Sequence, residues 1–282
     1  MPLRAAACLV ALLLLARGVS AAAVEPVTFR SLDGTALHAL LLRAPAQPAP
    51  GTVIALHGCG GLYATSGPRK GLLNARHQAM ADLLTADGYN VLLPDSLNSR
   101  GESEICTQRL ADRRIDSTQR RADALAAVTW VAVQPWSRPD RIALLGWSHG
   151  GSAVLSATDR NNVQVAAQQV RPALAIAFYP GCGAALRAGY GPGTRLVMML
   201  GEKDDWTPPA PCIELGRNVG AEVNVFADSY HDFDNPAGVL RVRRDVPNGV
   251  NPRQGVHVGP NLLAREASYG RVRQLLRDAF ER

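Results

Sequence analysis

The residues best suited to chemistry are at positions 146–150, which read Gly-Trp-Ser-His-Gly and directly follow an apolar run. A serine two residues from a glycine on each side, between a strand and a helix, is typical of a nucleophile elbow, a sharp turn that exposes the hydroxyl. The same pattern also occurs in ordinary strand-to-helix turns. Because a serine hydroxyl attacks a carbonyl only when a base takes its proton, Ser148 needs a histidine, an orienting acid and an oxyanion hole elsewhere in the chain.

Among the six histidines, His231 is the best candidate for that base. It follows the last predicted strand, and the acid is expected after the preceding strand, because folds with this elbow carry the chain order Ser, Asp, His. Asp204 and Asp205 both follow the strand that ends at Leu200, and their spacing from Gly201 favours Asp204. Such an acid holds the histidine tautomer and stabilises the imidazolium that forms during attack.

We expect different roles for the other five histidines. His38 lies within a predicted strand, His77 at a helix start where solvent is expected around it, and His257 in a region predicted to be irregular. His149 adjoins the serine and points elsewhere on the elbow. His57 is expected to shape a glycine-rich loop and to contact the substrate.

That loop, residues 57–61 with the sequence His-Gly-Cys-Gly-Gly, is predicted to supply part of an oxyanion hole. One backbone N–H group should come from His149, the residue after the nucleophile, and the other from Gly58 or Cys59. Each donor of this kind lowers the barrier by about 3–4 kcal/mol. A phosphate-binding loop is a weaker interpretation, because the Gly-x-Gly-x-x-Gly spacing and the Gly-Lys-Ser/Thr ending are both missing.

Short, continuously apolar segments alternate with segments of helical periodicity from residue 52 onwards. This alternation predicts an α/β fold with a mostly parallel central sheet and helices on both faces. No insertion is long enough for a large lid domain. The candidate residues all follow predicted strand ends, which is where ligands bind in such folds.

Residues 1–23 have the composition of a cleaved signal peptide, with a basic Arg4, an apolar run over 5–16 and small residues over 19–23. The apolar run is too short to anchor the protein stably in a membrane. The sequence therefore predicts an exported protein, periplasmic or secreted, in which residues 24–282 form a single domain.

Four cysteines lie outside the predicted signal peptide, an even number in a compartment that permits disulfides. Cys59 and Cys106 follow the third and fourth predicted strands, and Cys182 and Cys212 follow a later pair of strands. If the strands of each pair are neighbours, the bridges are Cys59–Cys106 and Cys182–Cys212. Three connectivities are open to four cysteines, so both pairings are hypotheses.

The net charge and the motifs limit which partners and cofactors the protein is expected to bind. The formal net charge is +6, but no basic run is interleaved with aromatic residues, so nucleic-acid binding is the weaker interpretation. Neither a Cys-x-x-Cys nor a His-Glu-x-x-His motif is present, and we expect no metal and no other cofactor. The expected partner is a small-molecule substrate.

Five segments together resemble the dienelactone hydrolase family of α/β-hydrolases, namely residues 57–61, 94–101, 146–151, 201–212 and 230–233. The resemblance extends from about residue 27 to the last helix. It implies the α/β-hydrolase fold and hydrolysis of an ester or lactone without a cofactor. By position it makes Ser148 the nucleophile, Asp204 the acid and His231 the base.

The chain also departs from the family pattern. The best-known members use cysteine where this chain has Ser148 and glutamate near the position of His57, and they bind the substrate carboxylate with two arginines. Arg100 matches the first arginine, whereas Asn235 stands at the second position. We expect Arg100, His57 and Trp206 to contact the substrate.

The sequence thus predicts an exported serine hydrolase that cleaves a carboxylic ester or lactone through an acyl-enzyme on Ser148. A thioesterase or a peptidase would use the same triad, because selectivity would reside in the loops 62–76, 96–117 and 236–260. A non-catalytic binding protein on the same scaffold is a third interpretation, and it accounts less well for the complete set of residues.

Overall fold

The computed structural model describes residues 24–281, so the predicted signal peptide lies outside the described residues. The strands of this part of the chain are β1 Val24–Arg30, β2 Ala36–Leu42, β3 Thr52–Leu56, β4 Asn90–Pro94, β5 Ile142–Trp147, β6 Leu174–Phe178, β7 Leu196–Gly201, β8 Glu222–Phe226, β9 Arg241–Arg243 and β10 Val256–Val258. The α-helices are α1 Ala75–Ala86, α2 Ser117–Ala132, α3 His149–Thr158, α4 Val163–Ala166, α5 Gly183–Arg187, α6 Ala210–Val219 and α7 Leu262–Phe280. Within residues 24–281, no helix is both long and apolar enough to cross a membrane.

Eight strands form one sheet in the order β1-β2-β4-β3-β5-β6-β7-β8. The hairpin of β1 and β2 is antiparallel and joins β4 antiparallel, whereas the strands from β4 to β8 pair in parallel. The strands β3 to β7 are buried along their whole length, which accounts for their continuously apolar sequences. The predicted mostly parallel sheet is confirmed.

Helices cover both faces of this sheet, as predicted. On one face α2, α3 and α6 pack over a core that includes Leu125, Val154 and Leu215. On the other face α1 and α7 pack over a core that includes Leu84 and Leu276. The sheet is thus held rigidly between two apolar layers, and its carboxyl edge is left to the loops.

A third, smaller apolar cluster lies over that edge and joins the loops that follow β3 and β4 to the segment before α7. It contains the Cys59–Cys106 pair together with Ile105, Val246 and Val256, among others. Residues 236–260 were expected to be irregular, but β9 and β10 pair antiparallel there. Sequence periodicity missed these strands because three residues are too few to display it.

Both predicted disulfides are present. Cys59 and Cys106 are bonded with a Cα–Cα separation of 4.9 Å, and Cys182 and Cys212 with one of 5.1 Å. The strands that precede each pair are neighbours in the sheet, since β3 pairs with β4 and β6 with β7. The sheet order therefore brings the cysteines together, as the strand argument required.

Candidate active site

The nucleophile elbow joins β5 to α3. Ser148 has φ 53° and ψ −116°, a strained conformation for a residue with a side chain. The glycines on both sides are sterically necessary: a Cβ at Gly146 would collide with the backbone of Gly150, and one at Gly150 would collide with the Leu56 carbonyl. The Ser148 N–H donates to the Phe178 carbonyl at 2.9 Å. The turn therefore fixes Ser148 at the carboxyl edge of the sheet.

His231 and Asp204 form a buried pair at the same edge. The distance from His231 Nδ1 to Asp204 Oδ2 is 2.8 Å, and the two residues are only 3% and 4% exposed. Because an ionised carboxylate can only accept, Nδ1 carries the hydrogen and Nε2 of a neutral ring is free to take a proton. The hydrogen bonds of residues 24–281 include none between the Ser148 hydroxyl and His231, a contact that in hydrolases often tightens only with substrate.

The loop after β7 holds Asp204 in place for this contact. Its Oδ1 accepts hydrogen bonds from the N–H groups of Trp206 and Thr207, both at 2.9 Å. The Thr207 hydroxyl lies 3.0 Å from Asp204 Oδ2 and also 3.0 Å from the Tyr179 carbonyl oxygen. The carboxylate thus has several partners that fix its orientation toward His231.

Asp205, the alternative acid, is engaged elsewhere. Its Oδ2 lies 2.7 Å from Nδ1 of His257, and its Oδ1 accepts the His257 N–H at 2.8 Å. The His257 ring is also stacked on Tyr230 with ring centroids 4.8 Å apart. The adjacent residues Asp204 and Asp205 thus each pair with a different histidine, and the pair that contains Asp204 includes the histidine expected as base.

The predicted oxyanion loop packs directly on the elbow. A Cβ at Gly58 would lie 3.3 Å from the Trp147 carbonyl oxygen and 3.5 Å from Ser148 Cβ, so the backbone of the loop approaches the nucleophile closely. His149 is the first residue of α3, and the first N–H groups of a helix have no partner within it. The loop backbone and the first residue of α3 thus both lie next to Ser148, and their role as oxyanion donors stays a prediction.

The Cys59–Cys106 bridge ties this loop to the segment after β4, where the Ile105 N–H also donates to the Cys59 carbonyl at 2.8 Å. We expect replacement of both cysteines by serine to reduce kcat for an ester about tenfold, because the Cys59 backbone is then less well ordered. Loss of either disulfide should also lower the free energy of unfolding by about 2–4 kcal/mol. The matched control is serine at both Cys182 and Cys212. Urea unfolding and ester turnover of the two variants separate stability from catalysis, and an equal kcat for both would contradict the prediction.

Two residues expected to contact substrate have other partners in the structure. His57 is fully buried: its Nδ1 lies 2.7 Å from the Gly58 carbonyl oxygen, and its Nε2 accepts the Ser96 N–H at 3.2 Å. Arg100 donates to both carboxylate oxygens of Asp123, at 2.9 and 2.7 Å, and forms an ion pair with Asp33. Sequence position alone did not reveal these partners. The full burial of His57 leaves it no surface for a substrate, whereas the contact expected of Arg100 stays a prediction.

Trp206 remains a candidate contact. It is partly buried, its ring centroid lies 4.8 Å from that of His231, and the Arg243 guanidinium lies over its ring at 5.3 Å from the centroid. A groove of about 750 Å³ is lined by Arg243 together with Gly60 and Cys106, among others. Arg243 thus contacts Trp206, which lies next to the predicted base, and also lines a groove that reaches the oxyanion loop at Gly60.

A buried polar network that was not predicted from the sequence connects the elbow to the His231 loop. Asp234 is fully buried and accepts hydrogen bonds from Trp147 Nε1 at 2.7 Å and from the Tyr179 hydroxyl at 2.5 Å. Arg76 donates to the Tyr179 hydroxyl at 2.9 Å and forms an ion pair with Asp232. The residue before the serine and the segment after the histidine are therefore joined through a single carboxylate.

His77 was expected to be solvated, but it is fully buried with Nδ1 3.1 Å from the Leu62 carbonyl oxygen. Burial is the main cause that lowers its pKa to about 3, and the charge of Arg76 lowers it further. Burial and the charge of Arg120 likewise hold the pKa of His57 well below its usual value. Both rings are therefore neutral in the folded protein.

These two histidines and His149, whose pKa is also held well below its usual value by burial, make the fold sensitive to acid. These histidines take up protons near pH 6.5 in the unfolded chain but stay neutral in the folded chain. The free energy of unfolding is therefore highest above pH 6.5 and decreases as the pH falls below it. Between pH 7 and pH 5 each should lower the free energy of unfolding by about 2 kcal/mol. Urea unfolding at both pH values checks this, with His77→Gln as comparison: about a third of the effect of the three histidines should disappear, and an unchanged pH dependence would contradict the assignment.

Within the part of the chain that the structure describes, no group of three or more His, Cys, Asp or Glu side chains could hold a metal ion. The elbow, the Asp204–His231 pair and the parallel sheet define an α/β-hydrolase. The model of the dienelactone hydrolase family matches residues 38–276, and the chain belongs to this family. It is thus a hydrolase of the carboxylesterase-like kind. No protein among those with curated functions matches the sequence.

Solved structures of low sequence identity share the fold. A dienelactone hydrolase-like promiscuous phosphotriesterase from metagenomic libraries is 17% identical, with a TM-score of 0.63 over 93% of this chain and 100% of its own. Carboxyl esterase 2 from the fungus Tuber melanosporum is 12% identical, with a TM-score of 0.61 over 93% of this chain and 89% of its own. Dipeptidyl peptidase 4 from Porphyromonas gingivalis is 17% identical, with a TM-score of 0.60 over 92% of this chain and 36% of its own.

Proposed function

We propose that this protein is a serine hydrolase that cleaves carboxylic esters or lactones through an acyl-enzyme, with Ser148, His231 and Asp204 as its triad. The observation that carries the proposal is the buried 2.8 Å contact between His231 and Asp204, at the same sheet edge as the strained elbow of Ser148. An aspartate held by two backbone N–H groups is a fixed acceptor for the Nδ1 hydrogen. This arrangement keeps Nε2 available as the base.

The proposed reaction has two similar halves. His231 Nε2 takes the proton of the Ser148 hydroxyl while Oγ attacks the ester carbonyl carbon, and the carbonyl oxygen becomes an oxyanion that accepts N–H groups of His149 and of Gly58 or Cys59. When the C–O bond to the leaving group breaks, the imidazolium gives its proton to the departing alkoxide. Water then attacks the acyl carbon with His231 again as base, and the acid and free Ser148 are released.

Two further features support a reaction on a small-molecule ester or lactone. The groove lined by Gly60, Cys106 and Arg243 borders the oxyanion loop and offers space for one part of a small substrate. Export to the periplasm or the cell exterior fits the two disulfides, which persist in oxidising compartments. We therefore propose that the protein acts in the periplasm or outside the cell.

A substrate panel tests the reaction class. We expect turnover of p-nitrophenyl acetate and of simple lactones by the purified protein without added metal or cofactor. The panel also contains thioesters, which a thioesterase would cleave, and aminoacyl anilides, which a peptidase would cleave. Both of these enzyme classes would use the same triad. Turnover of anilides or thioesters with none of esters and lactones would contradict the proposed substrate class.

A further inference from the structure

A buried arginine stands behind the predicted oxyanion loop. Arg120 lies in α2 and is 1% exposed, and its Nη2 donates to the His57 carbonyl oxygen at 2.6 Å. That carbonyl belongs to the same peptide unit as the Gly58 N–H, one of the expected oxyanion donors. A cation bound to the oxygen of an amide draws electron density from its N–H and strengthens it as a donor.

The neighbouring peptide unit is held in the same way. The Gly58 carbonyl shares a peptide unit with the Cys59 N–H, the other expected donor, and its oxygen lies 2.7 Å from His57 Nδ1. Because His57 Nε2 accepts the Ser96 N–H, Nδ1 carries the hydrogen and donates it to Gly58, and the 3.4 Å contact of Arg120 Nη1 with Nδ1 is then not a hydrogen bond. The carbonyl oxygens of His57 and Gly58 thus both accept a hydrogen bond, one from Arg120 and one from His57. Either candidate donor, the Gly58 or the Cys59 N–H group, therefore belongs to a peptide unit whose oxygen is bound.

No carboxylate in the described part of the chain contacts the charge of Arg120 directly, and the charges of Asp123 and Asp95 stabilise it from a distance. Among residues 24–281, no carboxylate forms an ion pair with Arg120 within 4.0 Å, and the neighbouring Asp123 is bound to Arg100. Burial lowers the pKa of Arg120 to about 10, which still leaves it charged at neutral pH. Burying an unpaired cation is costly, and the cost is offset when a negative charge forms nearby.

The field of this cation reaches both sides of the nucleophile. Burial is the main cause that holds the pKa values of His57 and His149 well below the usual value, and the charge of Arg120 lowers both further. This charge is fixed within hydrogen-bond distance of the His57 carbonyl before the reaction begins. It favours an oxyanion over the neutral carbonyl from which the oxyanion forms, and such a difference accelerates the chemical step.

We propose that Arg120 is a positioning residue for catalysis, which acts through the His57–Gly58 peptide unit to orient and polarise the oxyanion hole. The inference rests on the proposed function, because it assigns Arg120 a role in stabilising the oxyanion formed by attack of Ser148. It also explains why His57 is neutral and buried: its task is to hold the second carbonyl. A purely structural Arg120 would instead only tie α2 to the loop.

Three variants separate the two roles. Arg120→Gln keeps a hydrogen-bond donor and removes the charge, whereas Arg120→Lys keeps the charge. Arg121→Gln is the matched control, since Arg121 is adjacent in α2 and donates to Gln164 and Ser156. For each folded variant, kcat and KM for p-nitrophenyl acetate are measured, together with the affinity for a trifluoromethyl ketone, which forms a tetrahedral anion on an active serine.

We expect Arg120→Gln to lower kcat and trifluoromethyl ketone affinity in parallel by roughly ten- to a hundredfold, the effect of one charge at short range with an effective dielectric constant of about 20. KM should stay within about threefold, Arg120→Lys should recover most of the loss, and Arg121→Gln should equal the wild type. A folded Arg120→Gln with wild-type kcat would overturn the inference. If Arg120→Gln does not fold, a folded Arg120→Lys that loses more than about thirtyfold in kcat would overturn it.

Different results would contradict the proposed function and the role of Arg120. If the wild-type protein neither turns over esters nor binds the trifluoromethyl ketone, the serine mechanism is wrong. If the wild type does both and Arg120→Gln is unimpaired, only the role of Arg120 is wrong.

Discussion

Replacement of Ser148 by alanine should lower kcat/KM for p-nitrophenyl acetate by at least about 10³-fold while the fold is retained. The variant lacks the oxygen that forms the acyl-enzyme, and the oxyanion hole and binding groove alone leave only residual catalysis. Alanine fits the elbow as well as serine does, because the elbow depends on the backbone and on the flanking glycines, so the thermal midpoint should change little.

Ser156→Ala is a suitable control for this experiment. Ser156 lies in the same helix α3, and its hydroxyl contacts Arg121 rather than the elbow. Its activity should stay within about twofold of the wild type. If Ser148→Ala kept more than a tenth of wild-type activity, Ser148 would not be the nucleophile.

The second large effect is expected at Asp204. Replacement by asparagine should lower kcat by about 10³- to 10⁴-fold with little change in KM, because an amide N–H₂ turned toward Nδ1 favours the wrong tautomer of His231. The adjacent Asp205 is the matched control: it contacts His257, so Asp205→Asn should cost less than about tenfold. The same charge is removed one residue away, and long-range electrostatics therefore cannot account for a difference between the two variants.

Steady-state kinetics of both variants at one pH decide between the two acids. A larger loss for Asp205→Asn than for Asp204→Asn would reverse the assignment. Equal small losses would mean that neither carboxylate orients the base in the reaction.

Chain order and strand ends made much of the fold and of the candidate site predictable. In a parallel sheet the residues that follow successive strands meet at one edge, so Ser148, Asp204 and His231 could be grouped without knowledge of any distance. The same reasoning paired the four cysteines. Apolar strands of five or six residues were recognisable because burial on both faces removes polar residues from them.

The side-chain partners were not predictable, because they depend on packing between distant segments. Asp234 reaches Trp147 across 87 positions and Asp205 reaches His257 across 52. Arg100 matched a family position, yet its guanidinium is bound by Asp33 and Asp123. Residue type and spacing identify a group that can do chemistry, whereas its burial and its partners decide whether that group faces the substrate.

Labelling with a fluorophosphonate probe tests the central claim most directly, because this reagent forms a stable adduct only with a serine that a neighbouring base activates. Peptide mass spectrometry of the labelled wild-type protein should find the adduct on Ser148. Labelling should be absent in Ser148→Ala and much slower in Asp204→Asn. Folded wild-type protein that gives no adduct, or an adduct on a different serine, would contradict the assignment of Ser148 as an activated nucleophile.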